Sequence, residues 1–163
     1  MRATGFNHLS IGSHDMEESV RFYEELFGLE RIPTYNFGFK TQYMRCGDLQ
    51  LHIFQLEDHV PVFQHFAIDV DDFHGVYEKA RSLGVLEAKT FRNAVNELPD
   101  GSVQMYLRDP GGNLVEVDWP DAASLDKSRI PDLKPLSEFA GQEGEALQAS
   151  LYLDRPHLQA HRR

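Results

Sequence analysis

Apolar residues in the first 120 positions change their period several times, and each change marks an element. In Phe6-Asn7-His8-Leu9-Ser10-Ile11 they alternate, the two-residue period of a strand with one covered face. Asp15 then stands where an N-cap belongs, with Glu18 three residues on. Met16, Val20, Tyr23, Leu26 and Phe27 recur at helical spacing until Gly28 stops the run. The same order returns later: Phe63-Gln64-His65-Phe66-Ala67-Ile68 alternates, Asp72 caps, and Phe73, Val76, Tyr77, Ala80 and Leu83 repeat until Gly84. Strand alternation bounded by turn residues follows each helix, at Phe39–Arg45 and Leu49–Phe54, then at Val103–Arg108 and Leu114–Trp119.

This recurrence is an internal repeat. An offset of 57 superposes His8 on His65, Asp15 on Asp72 and Leu26 on Leu83; an offset of 64 brings Gly47 onto Gly111, His52 onto Glu116 and Ile53 onto Val117. The second copy therefore holds seven extra residues, for which Asn93–Gly101, rich in turn formers, is the natural place. The pattern predicts an α+β fold of two tandem βαβββ modules, about residues 5–56 and 62–119, whose mixed sheets curl around a cleft with the helices outside. Together they make one domain over residues 1–120. Residues 121–163 match neither copy and read as an extension packed on the domain or on a partner subunit, with an amphipathic helix over Ser137–Leu153.

Charge and composition narrow the partners. A formal net charge of −10 has the wrong sign for phosphate-backbone binding, so nucleic acid is not expected. No apolar run approaches a membrane span and the first residues carry no signal-peptide pattern, which points to a soluble, cytoplasmic protein with no membrane partner. A single cysteine, Cys46, forms no internal disulfide. No nucleophile elbow, phosphate loop or CxxC pair is present, and Asp109-Pro110-Gly111-Gly112-Asn113 reads as a turn joining two strands.

Strand parity indicates which polar residues meet. If Leu9 and Ile11 lie under the first helix, His8 faces inward, and the second copy places His65 likewise. Leu49, Leu51 and Ile53 leave His52 on the inner face, and Val115 and Val117 leave Glu116 there. A glutamate between two valines is costly to bury unless it is paired, and imidazole is the commonest protein ligand for transition metals. His8, His52, His65 and Glu116 thus form a candidate N/O site for one divalent ion, Zn, Ni, Fe, Mn or Co. Gln104, Tyr106 and Arg108 share one face of their strand and are candidates for proton transfer or substrate contact.

His8 followed by Phe22-Tyr23-Glu24-Glu25-Leu26-Phe27-Gly28-Leu29, then His65-Phe66-Ala67-Ile68-Asp69-Val70, then Asp109-Pro110-Gly111-Gly112-Asn113-Leu114-Val115-Glu116, resembles the vicinal oxygen chelate superfamily over about residues 5–119. That superfamily includes glyoxalase I, methylmalonyl-CoA epimerase, fosfomycin-resistance enzymes, extradiol dioxygenases and bleomycin-resistance proteins. The resemblance implies metal ligation by His8, His65 and Glu116, with His52 where relatives have a glutamate, a glutamine or no ligand. It implies a small substrate chelated through adjacent oxygens, lyase, isomerase or transferase chemistry, and a homodimer. Tyr106 falls where fosfomycin-resistance enzymes place a substrate-contacting tyrosine, and Tyr106 and Arg108 are assigned to binding substrate oxygens. Ring-cleaving dioxygenation and metal-free ligand sequestration are the alternatives within the same family.

Overall fold

The computed structural model describes residues 8–34, 40–56 and 65–152. The expected strand starts at Phe6, Phe39 and Phe63, and the end of the expected tail helix at Leu153, lie outside these residues. The chain forms an α+β fold of two compact units, residues up to His65 with Arg108–Leu114, and Phe66–Leu107 with the chain from Val115 onward.

The first unit carries β1 (His8–Ser13), α1 (Met16–Phe27), β2 (Glu30–Ile32), β3 (Thr41–Cys46) and β4 (Leu49–Gln55). Asp15 caps α1 by accepting a hydrogen bond from the Glu18 backbone N–H, and Gly28 ends it in the left-handed region at φ 65°. The sheet order is β1-β4-β3-β2, with β1 parallel to β4 and the other pairs antiparallel. Helix α1 packs across β3 and β4, burying Val20, Tyr23 and Leu26. Parity is borne out at Ile11, Leu51 and Ile53, which are buried, but Leu9 is 37% and Leu49 44% exposed. Those two residues stand near the start of their strands, whose buried residues are 11–13 in β1 and 51–53 in β4.

The Asp109–Asn113 turn is pinned to this unit. Tyr23 donates its hydroxyl to Asp109 Oδ2 (2.8 Å), and Asn113 donates its backbone N–H to Asp109 Oδ1 and its side-chain amide to both Asp109 Oδ2 and the Gly12 carbonyl. Gly111 is required here: a Cβ would lie 2.8 Å from the Gly12 carbonyl oxygen.

The second unit carries α2 (Phe73–Leu83), β6 (Val95–Glu97), β9 (Leu133–Pro135) and all but an end residue of β5 (His65–Asp69), β7 (Val103–Arg108) and β8 (Leu114–Trp119), whose His65, Arg108 and Leu114 belong to the first unit. Its sheet runs β5-β8-β7-β6-β9, the order of the first sheet with one strand added. The repeat is therefore visible in topology as well as in sequence. Asp72 and Gly84 cap α2 as the pattern predicts, and Phe73, Tyr77 and Ala80 are buried.

Two expectations are corrected. Asn93–Gly101 is not simply inserted loop: it contains β6, whose ladder partners are Val103–Met105. The extra chain instead precedes β6, between Gly84 and Val95. The tail forms no α-helix over its described residues; short 3-10 turns stand at Leu136–Glu138 and Gly144–Leu147. Gly141 and Gly144 explain this, since each costs about 1 kcal/mol relative to alanine inside a helix and the segment is too short to absorb both. The described residues of the extension nonetheless pack against their own unit, with β9 parallel to β6 and Ile130 buried. Among the described residues no helix is long and apolar enough to cross a membrane.

Candidate active site

The candidate residues form one group in each unit, His8 with His52 and Glu116 with Tyr106, while His65 and Arg108 stand at the edge of the first unit. In the first unit, His8 opens β1 and is exposed, while His52, in the middle of β4, is buried at 7% exposure. The two-residue hairpin Gly47-Asp48 sets Cys46 opposite Leu49, which brings Tyr43 directly across from His52. Directly opposed residues on one sheet face sit within contact distance. Accordingly the Tyr43 and His52 rings stack at 3.5 Å, tilted by 7°, and His8 stacks on His52 at 4.2 Å and 14°. His52 Nε2 also meets Gln50 Oε1 at 2.9 Å. Burial, and secondarily the charge of His8, hold the His52 imidazole below its ordinary pKa.

This stack bears on ligation. An imidazole lone pair lies in the ring plane, so two nearly parallel rings aim along separate planes and do not converge on one ion. With its rings as placed, the first unit offers a buried aromatic support under His8.

In the second unit Glu116 is 3% exposed on β8, flanked by buried Val115 and Val117. Gln104, on the neighbouring strand β7, donates its amide N–H to Glu116 Oε1 at 2.5 Å. Tyr106 donates its hydroxyl to Gln104 Oε1 at 3.1 Å, and Phe91 stacks on the Tyr106 ring at 4.4 Å. Burial first, then the nearby Glu116 and Asp118 carboxylates, push the Tyr106 phenol far above its usual pKa. Tyr106 thus remains protonated near neutral pH and acts as a hydrogen-bond donor. That property suits contact with a substrate oxygen and is opposed to a role as base.

The remaining residues lie at element ends. His65 is the exposed first residue of β5. Arg108 ends β7, half-buried, and its guanidinium donates to the Gly112 carbonyl at 2.9 Å. Among the described residues no three His, Cys, Asp or Glu side chains stand together as a ready-made ion site. The donor types themselves fit a divalent metal: imidazoles and one carboxylate held by a neutral amide donor make a mixed N/O set.

Tyr43, Gln50 and Phe91 escape the strand-parity reading. Tyr43 was accessible through the Gly47-Asp48 hairpin, which fixes its register against His52. Phe91 lies in the irregular stretch before β6, where no periodicity announces it.

The family model for the glyoxalase/bleomycin resistance protein/dioxygenase superfamily matches residues 5–117. A glutathione transferase FosA from Serratia marcescens is 29% identical over 119 residues, spanning 68% of this chain and 77% of the relative. The crystal structure of lactoylglutathione lyase from Agrobacterium tumefaciens superposes with a TM-score of 0.54 at 26% identity, covering 72% of this chain and 94% of that one. The fosfomycin resistance protein FosX from Listeria monocytogenes has a TM-score of 0.59 at 17% identity, covering 75% and 96% respectively, and shares the fold. With most of its length matched by the family model and the two-module topology in place, the chain belongs to the glyoxalase/bleomycin resistance protein/dioxygenase superfamily.

Proposed function

We propose that the protein is a divalent-metal-dependent enzyme of glyoxalase-like type, catalysing a lyase, isomerase or transferase reaction on a small substrate chelated through adjacent oxygens. The observation that carries this reading is Glu116: a carboxylate buried within a strand and held in one orientation by the Gln104 amide is the kind of fixed oxygen donor a mixed N/O metal site uses. A metal-free sequestering protein has no need of such a group.

In this reading His8, His65 and Glu116 hold the ion, with Zn, Ni, Fe, Mn and Co all compatible with the donor set. The bound ion would act as a Lewis acid and as a template for two substrate oxygens. The similarity to a glutathione transferase and to a lactoylglutathione lyase supports such chemistry and makes glutathione-linked substrates the first to try. His52, the fourth donor offered by the sequence, serves to back the His8 ring through their stack; joining the ligand set requires it to leave that stack. On substrate binding Tyr106 turns its phenolic hydrogen from Gln104 Oε1 to a substrate oxygen, and Arg108 provides positive charge for an oxygen or carboxylate. The protein works as a homodimer in the cytoplasm, the arrangement the family resemblance suggests.

The test is turnover by chelator-treated protein after return of each divalent ion, with fosfomycin plus glutathione and with methylglyoxal plus glutathione as probe reactions. Metal-restored turnover, lost in Glu116→Gln, is the expected result. Stoichiometric binding of either probe, with no turnover and no metal requirement, would contradict the reading.

A further inference from the structure

In the second unit the Glu116 carboxylate is not left to orient itself. Its Oε1 accepts from the amide of Gln104, and that amide's oxygen in turn accepts from Tyr106. The direction of the relay is fixed by chemistry. An ionised carboxylate only accepts, so the amide must turn its N–H toward Glu116, which leaves its oxygen facing the phenol. Tyr106 is held in turn: Phe91 stacks on its ring, its backbone N–H donates to the Ala94 carbonyl, and its carbonyl accepts from the Glu87 N–H.

We infer that Gln104 is a positioning residue which, with Tyr106 behind it, fixes the orientation of the Glu116 carboxylate for metal ligation. The inference rests on the reading of Glu116 as a ligand. Gln104 touches neither metal nor substrate in this account and acts only through Glu116. A hydrogen bond from a neutral donor to an ionised acceptor is among the stronger ones, and it leaves the carboxylate its negative charge. Outer partners of this kind typically govern metal affinity by about 10–100-fold. A glutamine suits the role because it spans both groups at once. A glutamate at the same position would set a second acceptor against the first, and a methionine would fill the space with no polar contact.

The experiment is a Co2+ titration of the metal-depleted full-length protein, followed by visible absorbance, for wild type, Gln104→Met, Gln104→Glu and Tyr106→Phe. Thermal unfolding of each metal-free protein is recorded alongside. Gln104→Met and Gln104→Glu are expected to bind Co2+ roughly 10–100-fold more weakly, with altered ligand-field bands, while Tyr106→Phe shows a smaller loss. The metal-free melting temperature of Gln104→Met should stay close to that of wild type. Should that variant fail to fold, Gln104→Glu, which keeps the side chain's size, carries the comparison. Wild-type affinity and spectrum retained in a folded Gln104 variant would overturn the inference alone. Absence of Co2+ binding by wild type would overturn both the inference and the ligand reading beneath it.

Discussion

Three of the buried tyrosines, Tyr23, Tyr77 and Tyr106, define how single residues respond to alkali. Tyr23 is fully enclosed, and burial, then the Asp109 charge, raises its pKa; Tyr77 is raised to about 12 by burial and its contact with Asp132; Tyr106 is raised by burial and by Glu116 and Asp118. Each folded pKa lies above the value of about 10 expected in the unfolded chain. The unfolded state therefore releases protons first, so the stability these groups contribute is present below about pH 10 and falls as pH rises above it. For Tyr23 the slope is about 1.4 kcal/mol per pH unit. Urea midpoints should accordingly be flat just below pH 10 and drop steeply beyond it, with phenolate absorbance rising late and in step with unfolding. Full ionisation of all six tyrosines in a still-folded protein would contradict this placement. Sequence alone gave good access to Glu116, because a charge between valines demands explanation. It gave none to Phe91, whose position depends on irregular backbone and on tertiary packing.

At the level of elements, the tandem repeat was the most legible feature. Both helices begin and end at their expected caps, and the two sheets share one strand order. Less legible was where the extra residues enter the second copy, since a three-residue strand such as β6 leaves too little alternation to detect. The tail helix failed for a different reason: apolar spacing suggested it, and two glycines opposed it. The Asp109–Asn113 turn is an element whose chemistry the structure deepens. Gly111 accommodates the Gly12 carbonyl and the Ser13 Cα, both of them backbone, so the space cannot be recovered by a side-chain rotation. Gly111→Ala is expected to cost about 1–3 kcal/mol, from overpacking against backbone. Gly141→Ala, where nothing lies within 4 Å and φ is not positive, serves as the control and should change stability little. Equal urea midpoints for the two variants would refute the tight approach.

Across the whole chain, the extension beyond Pro120 behaves as part of the second unit. Tyr77 donates to Asp132 (2.6 Å), the Asn93 amide donates to the Asp132 carbonyl, and Arg92 donates to the Phe139 carbonyl. Arg92 adopts φ 70°, a left-handed conformation that a non-glycine residue sustains only when its surroundings hold it. These contacts fasten the stretch that carries Phe91 to the extension, on both sides of the Arg92-Asn93 bend. Ile130, 1% exposed, is the extension's main apolar anchor, and Ile130→Ala should cost about 2–4 kcal/mol. A loss under 1 kcal/mol in urea denaturation would show that the extension is only loosely attached. The exposed Arg129–Glu78 and Lys127–Glu97 pairs are expected to add little beside that burial.

The ligand set proposed for this member of the superfamily is a divalent ion on His8, His65 and Glu116. Its most direct test is the metal content of untagged protein, for wild type beside His8→Ala, His65→Ala, Glu116→Gln and His52→Ala. Wild type is expected to carry close to one ion per chain, the first three variants to lose it, and His52→Ala to retain it. No bound ion in wild type after reconstitution with Zn, Ni, Mn, Co and Fe(II) would contradict the claim and leave metal-free ligand binding as the better description.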